Sequence, residues 1–244
     1  MFSTVRVLVQ EGLTLMARLY LSGGALSVVE DPRYQSAVVA FEAAGAEVAS
    51  VGIDQDGSVP DELPRRPASL LYATSSHQYP IGATLSAERR GEIIDWARRN
   101  GCYIIEDDYD CDIRCVGSHL PPLAALAPDY TTYIGTFSKS LGAGLQLAYM
   151  IARPDRPTRS ALRNRCSTAA IPWLERATLA DFMHSGSHAA HLLRVRAHYK
   201  ENRDGLIAAL RRNFGDVAID SDAGGLHVLR HLPPGTPDAK TVEA

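Results

Sequence analysis

The chain is expected to fold as an α/β protein built on a mostly parallel sheet with helices on both faces. Three observations carry that expectation. Short apolar runs of strand length alternate with helix-like segments as far as Ile151. The runs are apolar along their whole length, which suits strands covered on both sides. Residues able to do chemistry cluster just past the ends of these runs, where open α/β sheets bind ligands.

The elements follow in order. Leu8 to Leu21 has Leu13, Met16, Ala17 and Tyr20 at helical spacing, and Ser22-Gly23-Gly24 stops it. Leu26–Val29 is a short strand, and Glu30-Asp31-Pro32-Arg33-Tyr34 turns out of it. Ser36–Ala44 is a helix closed by Gly45, and Glu47–Ile53 is a strand ending in a polar turn. Ser69–Thr74 is a buried strand that leads into Ser75-Ser76-His77-Gln78-Tyr79-Pro80. Ser86 is placed to cap a helix that Gly101 ends, although Arg89 stands where a capping box prefers an acid. Strands around Ile105 and Ile134 and at Leu147–Ile151 complete the alternation. Pro154 and Pro157 mark a break, after which the pattern is mostly helical. His191–Arg212 is a long arginine-rich helix whose basic residues form a solvated face. Asp216–Leu232 has the pattern of further strands.

Bulk properties narrow the class. At 244 residues, 45% hydrophobic and 22% charged, the composition is that of a globular protein. A net charge of −3 gives no electrostatic sign of nucleic-acid binding. Cys102, Cys111, Cys115 and Cys166 lack zinc-like pairing and suit a reducing cytoplasm. No run reaches the roughly 18 apolar residues of a membrane span, and Met1–Arg6 lacks a signal-peptide core.

Two stretches carry the chemistry. In Thr136-Phe137-Ser138-Lys139-Ser140-Leu141-Gly142, a lysine follows a buried strand among hydroxyls and glycines. Its amine can form a Schiff base with an aldehyde, while hydroxyls and backbone N–H groups hold an anion. In Cys102–Asp110, an apolar strand ends in carboxylates, which are costly there without a partner. A protonated pyridine nitrogen is such a partner. A lysine for the aldehyde and an acid for the ring nitrogen are the two protein groups that pyridoxal phosphate needs.

Several blocks resemble a known family in order along nearly the whole chain: GLTLMARLYL, VVEDPRYQSAVVAFEAAGAEV, TSSHQYPIGATLSAERR, EDDYDCDIR, PPLAAL, YIGTFSKSLGAGL and HLLRVRAHYKENRDGLIAALRRNFGD. They resemble the aminotransferase-like domain of MocR-type regulators in the GntR family. That domain is similar to aspartate aminotransferase, a fold-type I pyridoxal 5'-phosphate enzyme. The resemblance implies a large cofactor-binding domain over residues 1–190, then a linking helix and an incomplete small domain over 191–244. It implies that Lys139 condenses with the cofactor and that Asp107, rather than Asp108, pairs with the ring nitrogen. Tyr109 would bond the ring oxygen, with Gln78 and Tyr79 near that same oxygen. Tyr34 would stack on the ring, and Thr136 and Ser138 would donate to the phosphate. His77 is expected to be structural.

The chain departs from the family pattern at three places. Gln146 stands where the family has a phosphate-gripping arginine. Val7-Leu8-Val9 replaces its phosphate turn of small residues. The winged-helix DNA-binding segment and the C-terminal segment with the carboxylate-binding arginine would lie outside this chain. The leading expectation is therefore an effector-sensing regulator domain that binds pyridoxal phosphate and an amino compound, as a cytoplasmic homodimer. The alternatives are a class I/II aminotransferase and a degenerate cofactor-free fragment.

Overall fold

A computed structural model describes residues 3–7, 9–113, 120–153, 173–215, 218–220 and 226–231. Leu8, Cys115, Pro154, Pro157, Cys166 and Pro233-Pro234-Gly235 lie outside them. The first elements are β1 (Ser3–Val7), α1 (Val9–Tyr20), β2 (Leu26–Asp31), α2 (Gln35–Glu42), β3 (Glu47–Asp54), β4 (Gly57–Ser58) and β5 (Leu70–Ala73). Then come α3 (Ala87–Asn100), β6 (Tyr103–Asp108), α4 (Leu123–Leu126), β7 (Thr131–Thr136) and β8 (Ala148–Ala152). Two helices, α5 (Trp173–His184) and α6 (Ser187–Phe214), precede a small strand pair, β9 (Ile219–Asp220) and β10 (Leu229–Arg230).

Eight strands form one sheet in the order β1-β8-β7-β6-β5-β2-β3-β4. The central run from β7 to β3 is parallel throughout. The sheet is thus α/β and mostly parallel. Its ends are antiparallel: β8 on β7, β1 on β8 and β4 on β3. The β1 strand and these reversed edges were not foreseen from the sequence. Because β2, β5, β6 and β7 share one direction, their carboxyl ends emerge along one edge, and every candidate site residue before Gln146 lies at the end of one of them or follows it.

The connections explain where the crevice opens. From β2 the chain moves outward to β3, then returns to the other side of β2 as β5 and continues through β6 and β7. That reversal is a topological switch point. It also sends α2 and α3 to opposite faces. One core joins Leu13 and Met16 of α1 and Phe41 of α2 to Tyr72, Ile105 and Ile134. The other joins Ile93, Ile94 and Ala97 of α3 to Val28, Leu71, Ile104 and Leu123. Each fully buried side chain of this size contributes about 1.5–3 kcal/mol.

The α3 boundaries show how local chemistry sets an element. Ser86 Oγ accepts from the Arg89 N–H at 3.4 Å, and Gly101 closes the helix in the left-handed region at φ 61°. Arg89 does not complete a capping box; its guanidinium donates to Asp54 and to the Gly57 carbonyl instead. The next residue, Arg90, is 1% exposed and donates to the carbonyls of Leu85, Ser75 and Pro121. It lies 3.8 Å from Glu106, which in turn accepts from the Leu123 and Ala124 N–H groups at the start of α4. A buried charge is tolerated here because each of its faces has a partner.

Candidate functional site

Strand periodicity sorts the acids at the end of β6. Successive side chains point to opposite faces, so Glu106 and Asp108 share one face and Asp107 takes the other, with Ile105. Glu106 is bound at α4, and Asp108 accepts from Ser76 at 3.1 Å and Tyr133 at 3.0 Å. Asp107 instead lines a cavity of about 460 Å³. Its Oδ2 accepts from Tyr72 at 2.8 Å, whereas its buried Oδ1 has no hydrogen-bond partner among the described residues. Burial, opposed by the Tyr72 hydrogen bond and reinforced by Asp108, Asp110 and Glu30, lifts its carboxyl from 3.8 to about 7.

The cavity gathers residues from across the chain. Tyr34 follows β2, Tyr79 follows β5 and Tyr109 follows β6; Thr136 ends β7, Ser138 and Lys139 follow it, and Gln146 precedes β8. All of these line it. Tyr34 and Tyr109 each meet Tyr79 edge-on, with ring centroids 6.0 Å apart. Thr136 Oγ1 donates to Ser138 Oγ at 3.0 Å, and the Ser138 N–H donates back to Thr136 Oγ1 at 3.1 Å. This exchange fixes the turn that presents Lys139. Immediately before it, Gly135 passes under the Tyr149 ring, where an added Cβ would fall 2.4 Å from Cζ. Only glycine fits so close an approach.

The lysine loop is also held from outside the sheet. Tyr199 of α6 donates to the Lys139 carbonyl at 3.1 Å, and His191 Nε2 donates to the Ser140 carbonyl at 2.8 Å. Neither contact could be anticipated from a basic, solvated face. Gln146 adopts a left-handed backbone, φ 50° and ψ 37°, at the cavity rim. For a residue with a Cβ this costs about 1–2 kcal/mol, the kind of strain that collects at binding sites. The first residues of α1, Val9 and Gln10, form another part of the wall. First-turn N–H groups of a helix lack intrahelical acceptors, so this helix end suits an anion.

Gln78 does not line the cavity. Its Nε2 donates to the carbonyls of Pro32 and Tyr79, both at 2.7 Å, and its Oε1 accepts from the Ile81 N–H at 3.1 Å. It ties two loops together below the site. His77 is buried, with Nδ1 2.7 Å from Asp110 Oδ2 and 3.1 Å from the Tyr109 hydroxyl. Tyr72 and His227 are among the lining residues that sequence reasoning missed. Tyr72 carried a signal, since a buried tyrosine hydroxyl seeks a partner. His227, just before β10, carried none, because only the tertiary fold brings it to the cavity.

An open, mostly parallel sheet with a lysine, a buried acid and paired hydroxyls at its carboxyl edge is the fold-type I architecture of pyridoxal-phosphate transferases. The chain belongs to the aminotransferase class I and II family, whose pattern matches residues 9–241. It is similar to the HTH-type transcriptional regulator YhdI of Bacillus subtilis, at 34% identity over 93% of this chain and 50% of that protein. It is also 34% identical to the HTH-type pyridoxine biosynthesis transcriptional regulator PdxR of Corynebacterium glutamicum, over 90% of this chain and 48% of the regulator. Among solved structures, the α-aminoadipate aminotransferase LysN of Thermus thermophilus, complexed with N-(5'-phosphopyridoxyl)-L-leucine, superposes with a TM-score of 0.85. It is 26% identical, covering 98% of this chain and 63% of that one. The chain spans about half the length of the curated regulators it matches.

Family and fold are those of proteins that use pyridoxal phosphate, and the residues present fit that group. The orphaned Asp107 Oδ1 lacks the donor that a protonated ring nitrogen supplies, and the same cavity holds a primary amine and two hydroxyls. Among the described residues, no helix is long and apolar enough to cross a membrane.

Proposed function

We propose that this chain is the cofactor-binding, effector-sensing domain of a MocR-type regulator in the GntR family. Residues 1–190 would form the large domain, and residues 191–244 the linking helix and part of the small one. The observation that carries the reading is the unpartnered oxygen of Asp107 in the cavity that Lys139 also lines. In support, the regulators this chain is similar to include one named for pyridoxine biosynthesis.

The residues divide the work by chemistry. Lys139 offers the amine that takes the cofactor's aldehyde, and Asp107 accepts the ring N–H. Tyr109 would donate to the ring oxygen, with Tyr79 near it, Tyr34 would stack on the ring, and Thr136, Ser138 and Gln146 would meet the phosphate with the α1 N-terminus. When bound, pyridoxal phosphate supplies an electrophilic carbon for primary amines and an electron-withdrawing ring. An amino compound is therefore the effector class. Exposed apolar side chains such as Trp173 (74% exposed), Leu174 and Leu193 favour burial in a homodimer, and the cysteine usage fits the cytoplasm.

The test is a titration with pyridoxal phosphate, followed by amino compounds and a keto acid. Saturable visible absorbance that amines perturb, without sustained amino-group transfer, is the expected result. Sustained turnover would favour the transaminase, a reading that the presence of both Lys139 and Asp107 keeps in play. No absorbance would leave a cofactor-free domain.

A further inference from the structure

Tyr109 is bracketed by two histidines. Its hydroxyl lies 3.1 Å from His77 Nδ1 and 3.2 Å from His227 Nδ1. The two partners differ in what they can accept. His77 Nδ1 is also 2.7 Å from Asp110 Oδ2, deep in the protein, where His77 is 4% and Asp110 1% exposed. Two lone pairs at that separation repel, so His77 Nδ1 carries a proton. That N–H faces the Tyr109 oxygen, which accepts from it. The single proton of the Tyr109 hydroxyl is left for His227, whose Nδ1 accepts.

His227 belongs to the segment that forms the β9–β10 pair, more than a hundred residues along the chain from Tyr109. Its ring packs edge-on against Tyr79 at 5.0 Å and Tyr109 at 5.6 Å, and it lines the cavity. Among the described residues, the Tyr109 hydrogen bond and ring contacts with Tyr79, Tyr109 and, at 6.3 Å, His77 help to hold the β10 segment against the wall of the site.

We infer that His227 is a ligand-reading residue: a ring oxygen entering the cavity takes over the hydrogen bond that Tyr109 gives to His227 and so loosens the β10 segment from the site wall. The inference rests on the cofactor reading above and supplies what that reading lacks, a way for occupancy to reach the small-domain strands. A hydroxyl has one proton to give. A pyridine ring bearing an acceptor oxygen beside Tyr109 and the His227 imidazole compete for it. Binding leaves the half-buried His227 nitrogen without that donor, which weakens the hold of its segment. His227 here is a positioning residue, since it acts through Tyr109.

The test uses pyridoxal phosphate with the whole chain, read by absorbance and by nitrogen NMR of the histidine rings. His227→Phe keeps the ring contacts and removes the acceptor. It should tighten cofactor binding about 2- to 10-fold, the equivalent of one neutral hydrogen bond. In a Tyr109→Phe background the same change should have no effect. In the unmodified protein, the His227 Nδ1 signal should move on loading, but not with an analogue lacking the ring oxygen. Unchanged or weaker binding by His227→Phe, or an equal effect in both backgrounds, overturns the inference. If His227→Phe does not fold, the NMR signal decides alone, and an unmoved signal overturns it. Absorbance with an unmoved signal removes only the coupling. Absorbance that never develops, in the unmodified protein and in the variant alike, removes the cofactor reading and the coupling with it.

Discussion

Tyr72 donates to one oxygen of Asp107 at 2.8 Å and leaves the other without a hydrogen-bond partner among the described residues. The hydrogen bond opposes the burial that drives the Asp107 carboxyl upward. Tyr72 therefore helps to keep the acid able to ionise when a cationic donor arrives. Tyr72→Phe should weaken pyridoxal phosphate binding about 10- to 100-fold, since hydrogen bonds to charged groups are worth about 1.5–3 kcal/mol. Titration of the two proteins side by side checks this, and equal affinities would count against the role.

The raised Asp107 carboxyl also makes stability depend on pH in a defined direction. The folded chain holds this proton up to about pH 7, whereas the unfolded chain releases it near pH 4. Between those values the folded state binds more protons, so stability falls as pH rises and the loss is complete above pH 7. Asp107→Asn removes this contribution. Cofactor-free, it should match the parent near pH 3 and exceed it by on the order of 2–4 kcal/mol at pH 8. Urea unfolding at the two pH values measures the difference, and parallel pH profiles would contradict it.

Gln146 can donate to a phosphate but brings no charge to it. Gln146→Arg should tighten pyridoxal phosphate about 10- to 100-fold while leaving pyridoxal, which has no phosphate, nearly unchanged. Titrating both vitamers against both proteins isolates the phosphate contribution. A gain for both vitamers alike would place Gln146 against the ring instead.

Gln78 fastens the turn after β2 to the loop after β5, through Pro32, Tyr79 and Ile81. Gln78→Ala should cost about 1–3 kcal/mol of stability, because it strands part-buried carbonyls. Thermal unfolding without cofactor checks it, and an unchanged midpoint would show that these bonds hold nothing.

Much of this architecture was legible before folding was considered. Strand ends, Gly101 and Ser86 are local signals, and the structure has elements within a few residues of each. The preference for Asp107 over Asp108 rests on the family resemblance; alternation along β6, which a strand imposes whatever its neighbours, puts the two on opposite faces. The antiparallel direction of β8 was not legible, since a parallel neighbour has the same apolar pattern, and β1, with Ser3, Thr4 and Arg6 among its five residues, does not read as a buried strand. Tyr72, His191, Tyr199 and His227 were missed because each acts through a contact far away in the chain. Gln78 marks the opposite limit. It adjoins Tyr79 in sequence, yet the chain turns between them, so one side chain enters the cavity wall and the other the scaffold.

The most direct measurement is borohydride reduction of the protein after incubation with pyridoxal phosphate, followed by peptide mass mapping. A single cofactor adduct on the peptide containing Lys139, absent from Lys139→Ala, is the result predicted. Adducts spread over Lys200 and Lys240 with none on Lys139, or identical maps for the two proteins, would contradict a cofactor site in this cavity.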